Sequence, residues 1–456
     1  MDAMIIGLLI FIAIMGYVSY NINRKYQTSK EGYLLAGRDL SIFDITMSIT
    51  ASWTFALGVL MISFFTFTKG AAGWTWFVVP QLGGLALMAL LAWNILKKMP
   101  NGFTTIQFVR ERYKDKRVTA FFQLVAILGV LNALIGNLTA LGNISAYMSG
   151  GLVSYEVLVC VMSLGILGYT LWGGLKSSVA TDKVQTGFLV LLAVFGFGSW
   201  IAYGNPEGIS ATLSSVEGAS PVFGSIMYAM GANLLMLMSA SLVNDNGLYQ
   251  RVLAVKDKAR AWQGFVWAGA LFTVIALGIG ALAATGIHTG VEVVDGKLST
   301  TATLEALFGG VGLIIMTLAI LSASASTIDT AYNSFGAMVA NDMLPNNEDP
   351  VRTSRLAMCG LFIFVTAVAL FKIDIWIIFT TFALLRLITV APMVIGIVSN
   401  WSFNTTPILI GIGLALVYAL CVKTGNALPL SGTTNNLIVL LLPALGTFLA
   451  IRKEHT

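Results

Sequence analysis

The chain has 456 residues, 57% of them hydrophobic and only 10% charged. Soluble domains carry about 25% charged residues, so this composition excludes a soluble globular protein and specifies a polytopic membrane protein. The net charge of +5 is no argument for nucleic acid as a partner, because topology decides where a membrane protein keeps its basic residues.

Windows of about 18 to 25 apolar residues give about thirteen candidate spans, at 3–21, 42–67, 74–96, 118–147, 154–174, 181–203, 221–243, 262–286, 305–339, 354–371, 374–398, 406–422 and 434–451. The first has no basic stretch before it and no small-residue cleavage site after it, so it reads as a retained helix. With the N-terminus outside and the C-terminus inside, Lys69, Lys297, Lys372 and Lys423 fall outside and Arg386 falls within a span. Every other Lys and Arg falls inside, as the positive-inside rule demands. Cys160, Cys359 and Cys421 lie within apolar runs, which gives no disulfide framework.

In the second span, Thr50 to Leu60 reads TASWTFALGVL. Its Ser, Thr and Gly residues interrupt an apolar helix, and carbonyls freed at membrane depth are tolerated only beside a cavity or an ion. Trp53 is too deep for the interfacial aromatic belt, so with Phe55 it reads as a solute contact or gate. Trp74 and Trp76 read as belt residues, and Gln81, which follows them, is a candidate for touching solute. Asn137 in span four is a further candidate for touching solute. Asp182 opens span six from the inner side, where the helix dipole favours a carboxylate. Span seven carries Ser241, another solute candidate, and ends in Asn244-Asp245-Asn246. Tyr249 to Lys258 reads as an inner loop.

Leu321 to Leu344 carries Ser322, Ser324, Ser326, Thr327, Asp329 and Thr330 within nine residues of an apolar run. On a helix, Ala323, Ser326, Thr327 and Thr330 share one face. Two adjacent hydroxyls one turn beyond a carbonyl form a hard-oxygen half-shell suited to a small cation; small residues also let membrane helices pack closely. Arg386, in the middle of span eleven, is costly there. It reads either as a partner of Asp329, Asp182 or Asp245, or as a contact to a solute carboxylate or carbonyl. Both histidines, His288 and His455, lie outside the spans, which argues against a membrane enzyme.

Several dispersed tracts resemble the sodium/solute symporter family. They are SKEGYLLAGRDLSI at Ser29 to Ile42, the basic segment 97–117, GYTLWGGLKSSVATDKVQ at Gly168 to Gln185, and YQRVLAVKDK at Tyr249 to Lys258. The resemblance implies an all-α protein with a LeuT-type core, in which spans two to six and seven to eleven form two inverted five-helix sets. The expected divisions are an extra helix at 1–30, a transport core at 41–401, and two extra helices with a tail at 402–456. It implies sodium-coupled import of a small polar organic solute, with sodium held by carbonyls of Ala51 and Thr54 facing Ala323, Ser326 and Thr327. In members with a second sodium, the residue matching Asp182 helps bind it, here with Asp329 and Thr330. The solute candidates are urea, an amino acid, a sugar or an organic acid. Trp53-Thr54-Phe55, Lys69 to Phe77 and Asp245-Asn246 loosely resemble the urea-permease branch. Proton coupling through Asp182 or Asp329, or a passive solute channel of the same fold, are the alternatives.

Overall fold

The computed structural model describes residues 3–22, 29–203, 206–372 and 375–452. Arg24, Lys25, Lys453 and His455, used in the topology and enzyme arguments above, lie outside them. The described chain is helical apart from a two-residue antiparallel pairing of β1 (Ser402–Phe403) with β2 (Ile451–Arg452). In order, the helices are α1 (Ala3–Ile22), α2 (Lys30–Leu35), α3 (Ile42–Trp53), α4 (Ala56–Lys98), α5 (Thr105–Tyr113), α6 (Lys116–Met148), α7 (Tyr155–Tyr203) and α8 (Pro206–Ser215). They continue with α9 (Asn233–Val243), α10 (Asn246–Leu253), α11 (Ala261–His288), α12 (Ser299–Met338), α13 (Pro350–Ala369), α14 (Ile375–Val398), α15 (Thr405–Lys423) and α16 (Gly432–Leu449).

Among the described residues, nine helices are long and apolar enough to cross a membrane, or ten if the bent pair Met227–Val243 and Asn246–Leu253 is one span. Three long helices carry a glycine with left-handed φ inside them: Gly70 in α4, Gly174 in α7 and Gly309 in α12. At Gly174 the requirement is steric as well as conformational. A Cβ there would stand 2.3 Å from the Tyr33 carbonyl oxygen, so α2 packs directly on the backbone of α7.

Helix starts follow local chemistry. Ser41 and Asp44 cap α3 reciprocally, Asp44 N–H donating to Ser41 Oγ (3.1 Å) and Ser41 N–H to Asp44 Oδ2 (2.9 Å). Asp115 caps α6 and Asp349 caps α13, whose first residue is Pro350. Small residues set the packing of the long helices: a Cβ on Gly278 of α11 would stand 2.4 Å from Ala193 Cα of α7.

Two spans are discontinuous. The first breaks between α3 and α4 at Thr54-Phe55, and the second bends by 54° between α9 and α10. The chain just before α3 pairs through its backbone with the chain just after α10: Leu40 N–H donates to Ala254 O (3.0 Å) and Lys256 N–H to Leu40 O (2.9 Å). This corrects the sequence reading of Tyr249 to Lys258 as a loop. Residues Asn246 to Leu253 form a half-helix whose every residue is buried, because its cap at Asp245 restarts a helix where hydropathy alone sees polar chain. The basic segment 97–117 forms α5 within it, whose Ile106, Phe108 and Val109 are buried.

Candidate functional site

The site forms where the broken end of α3 meets the hydroxyl-rich face of α12. The last helical bond of α3 runs from Thr54 N–H to Thr50 O (3.0 Å), which releases the carbonyls of Ala51, Ser52 and Trp53 from helical partners. The restart is held by Asn137 of α6, whose Oδ1 accepts from Ala56 N–H (3.2 Å) while its Nδ2 donates to Ala133 O (2.9 Å). Asn137 therefore secures the break from the side.

Against this end lie the residues expected for a cation. Thr327 Oγ1 donates toward Ser52 O (3.1 Å) and Ala323 O (3.0 Å). Ser326 Oγ lies 2.9 Å from Ser52 Oγ and donates to Asp182 Oδ1. Ala51, Thr54, Ala323 and Ser326 are all buried. Ser52, which the sequence reading passed over inside the tract it quoted, is the α3 residue with direct contacts to both hydroxyls. Thr54 Oγ1 instead donates back to Thr50 O (2.8 Å).

The space expected for a second cation is filled differently. Arg251 of α10, counted from sequence as an inner-loop charge, is wholly buried. Its Nε donates to Ser48 Oγ (2.6 Å), Nη1 to Gly247 O (3.1 Å), and Nη2 to Thr330 Oγ1 (2.6 Å), Asp182 Oδ2 (3.1 Å) and Ser52 Oγ (3.3 Å). Ser48 Oγ also donates to Asp182 Oδ2. Asp182 and Thr330 thus already hold a fixed cation. A guanidinium with several donors satisfies a buried carboxylate better than an isolated charge could.

Asp329 turns to other partners. Tyr169 Oη donates to its Oδ2 (2.7 Å) and Ser178 Oγ to its Oδ1 (2.6 Å). Among the described residues no Lys, Arg or His lies within ion-pair distance of it. Tyr169 and Ser178 sit in the Gly168 to Gln185 tract, so sequence flagged the region without assigning these side chains.

Beside the broken end of α3 lies a cavity of about 90 Å³, lined by Trp53, Phe55, Asn132, Asn137, Ser241 and Arg386, with Ser52, Asp245 and Thr327 also on its wall. A smaller space of about 40 Å³ shares Ser52, Asp245, Thr327 and Arg386. Five of the six residues expected to touch solute are brought together here. Gln81 is not: it is fully buried and its Nε2 donates to Phe77 O (3.0 Å) of its own helix, because its position on α4 faces packed helices. Trp53 stacks edge-on with Phe55 at 5.9 Å between ring centroids. Arg386 pairs with none of the three aspartates proposed for it; its Nη2 donates to Gly129 O (2.7 Å).

A family model, the sodium:solute symporter family, matches residues 33–412. The chain belongs to that family. As a symporter-family chain it is a multi-pass integral membrane protein of a transporter family, not of an enzyme family. It is 27% identical over 281 residues to the probable urea active transporter 1 of Schizosaccharomyces pombe, covering 57% of this chain and 41% of that one. It is 24% identical over 421 residues to the urea-proton symporter DUR3 of Oryza sativa subsp. japonica, covering 80% and 57%. The chain thus spans about half the length of the curated relatives it matches. The substrate-bound outward-open state of a Na+-coupled sialic acid symporter matches with a TM-score of 0.83 at 18% identity, over 98% of this chain and 97% of that one. That likeness carries the fold: a helical, LeuT-type membrane protein.

Proposed function

We propose that this chain is a cation-coupled symporter that moves a small polar organic solute inward by alternating access. One observation carries the reading: Ser52 and Thr327 belong both to the α3–α12 oxygen cluster and to the wall of the adjoining cavity. A cation among Ala51, Thr54, Ala323, Ser326 and Thr327 would tie the broken span to α12. In doing so it would order two residues of the solute site. Cation binding then favours one conformation of that site by differential affinity, and no bond chemistry is needed.

Sodium is the cation we assign, since the donors are hydroxyl and carbonyl oxygens and no group of three His, Cys, Asp or Glu occurs among the described residues. We place about thirteen spans with the N-terminus outside and the C-terminus inside, supported by the basic-residue distribution, although Arg251 no longer counts toward it. We assign α1 (within 1–30) as an extra helix, 41–401 as the inverted-repeat core, and α15 and α16 (within 402–456) as additions. Urea leads the solute candidates, because relatives named for urea transport match most of this chain.

A second reading has its own observation. Among the described residues, the buried Asp329 carboxylate accepts only from hydroxyls, those of Tyr169, Ser178 and Thr330, a setting that suits a transported proton. A relative named as a urea-proton symporter supports it.

Uptake of a solute panel into proteoliposomes separates the two. Sodium-driven uptake, compared with choline, that is lost in Ser326→Ala/Thr327→Ala supports the sodium site. Uptake indifferent to sodium, driven by a pH gradient and abolished by Asp329→Asn refutes it and moves coupling to Asp329.

A further inference from the structure

We propose that Asp245 and Arg386 form a two-ended clamp for a net-neutral solute, with an oxygen acceptor at one end and an N–H donor at the other. Carboxamides, ureido compounds and amino-acid zwitterions have this chemistry. The proposal rests on the transport reading for its biological sense, but its binding test does not.

Asp245 stands at the bend between α9 and α10. Both hydrogen bonds it accepts end on Oδ1, from Gly247 N–H (2.8 Å) and Leu248 N–H (3.2 Å), as the cap of α10. Oδ2 accepts none from the described residues, and the side chain is on the cavity wall. The cap fixes the carboxylate, so its free oxygen is presented in a defined place.

Arg386 is fixed just as firmly. Its Nη2 is anchored on Gly129 O, and a Cβ at Gly129 would come within 2.7 Å of Nη2 and 3.0 Å of Nε. A side chain at position 129 would push the guanidinium away from α6. Arg386 Nε is buried with no partner. Asn244 bridges the two walls, donating to Arg386 O (3.2 Å) and accepting from Thr389 Oγ1 (2.7 Å).

Charge and size then select the ligand. Among the described residues Arg386 makes no ion pair within 4 Å, so the two opposite charges share a cavity without touching. An unpaired charge in such a place is expensive, and a molecule that bridges them with complementary ends removes that cost. An anion or a cation would satisfy one end and leave the other uncompensated. Trp53 adds a second unmet donor: it is 7% exposed, lines the cavity, and its Nε1 has no partner. At about 90 Å³ the cavity is far below the ~300 Å³ lower bound for drug-sized ligands, which favours a molecule of few heavy atoms over a sugar.

The test is binding to the purified full chain in detergent with sodium present, by thermal shift and calorimetry. The probes are urea, acetamide, alanine, acetate, guanidinium chloride and glucose. The expected result is saturable binding of at least one of urea, acetamide and alanine, with acetate, guanidinium and glucose at least tenfold weaker. Asp245→Asn keeps the helix cap, since Asn caps as well as Asp, and should shift preference toward acetate by tenfold or more. Arg386→Gln should shift it toward guanidinium, and Gly129→Ala should weaken the wild-type ligand without changing charge preference. Urea or acetamide binding with no alanine binding identifies an uncharged ligand, and the reverse a zwitterion. The clamp is overturned if no neutral probe binds, if acetate, guanidinium or glucose binds best, or if both charge variants retain wild-type affinity and selectivity. Binding that obeys this charge pattern, without uptake against any cation gradient, would sink the transport reading and leave the clamp standing.

Discussion

Removing the Arg251 guanidinium should reveal how the core balances its charge. Arg251→Met deletes five hydrogen bonds, to Ser48, Gly247, Ser52, Asp182 and Thr330, and leaves Asp182 buried without its cation. Breaking a buried pair from one side costs about 3–5 kcal/mol, whereas removing both charges is often near neutral. Arg251→Met alone should therefore lower resistance to unfolding by that amount, and adding Asp182→Asn should restore most of it, with a coupling energy of about 2–3 kcal/mol. The single variant also leaves Asp182 among the hydroxyls of Ser48, Ser52, Ser326 and Thr330, an oxygen shell open to a free cation. Sodium should then stabilise Arg251→Met more than wild type, by about 2.7 kcal/mol where its concentration is a hundredfold above Kd. Denaturant unfolding of the purified protein, with sodium or choline, measures all three. The reasoning is refuted if Arg251→Met stays within about 0.5 kcal/mol of wild type, if the two substitutions are additive, or if sodium stabilises both proteins equally.

Three further outcomes are expected. Asn137→Ala strips the partner from Ala56 N–H at the restart of the broken span, costing about 1–3 kcal/mol; Asn137→Asp keeps the acceptor and should recover much of it in the same unfolding assay. Ser326→Ala removes one hydroxyl from the cation, and hydrogen bonds to charged groups are worth about 1.5–3 kcal/mol. Half-saturating sodium in uptake should rise by roughly ten- to a hundredfold; no change would remove Ser326 from the site. Gly174→Ala combines left-handed φ with a Cβ 2.3 Å from Tyr33 O, and should cost about 1–3 kcal/mol or more. Gly165→Ala on the same helix meets nothing within 4 Å and should be close to neutral, so equal effects would show the Gly174 contact to be unimportant.

The residues read from sequence divide instructively. The meeting of Ser326 and Thr327 with the broken end of α3 follows helical spacing that puts both on one face, and Trp53 and Phe55 flank the break that the sequence pattern marks. Gln81 was misplaced: a polar residue in an apolar window looks functional, yet its amide is absorbed by Phe77 O one turn back. Arg251 shows the opposite error, since a basic residue beyond an apolar window looks cytoplasmic until the chain is seen to fold back inward as α10. Tyr169 and Ser178 could not be assigned to Asp329, because nothing local in the sequence says which side chains meet it across some 150 residues.

Sequence by itself determined that the chain is built of apolar segments long enough to leave water, and where the second of them breaks. These follow from hydrophobic length and the local chemistry of Thr50 to Leu60, both properties of neighbouring residues. Only the tertiary structure decided which charge meets which. Asp182 takes Arg251 rather than Arg386, Asp329 takes hydroxyls, and Asp245 shares a cavity with Arg386 without an ion pair between them. Each outcome depends on how helices far apart in the chain are placed side by side. In a low-dielectric core, that placement decides whether a charge is matched, and so what is left free to bind.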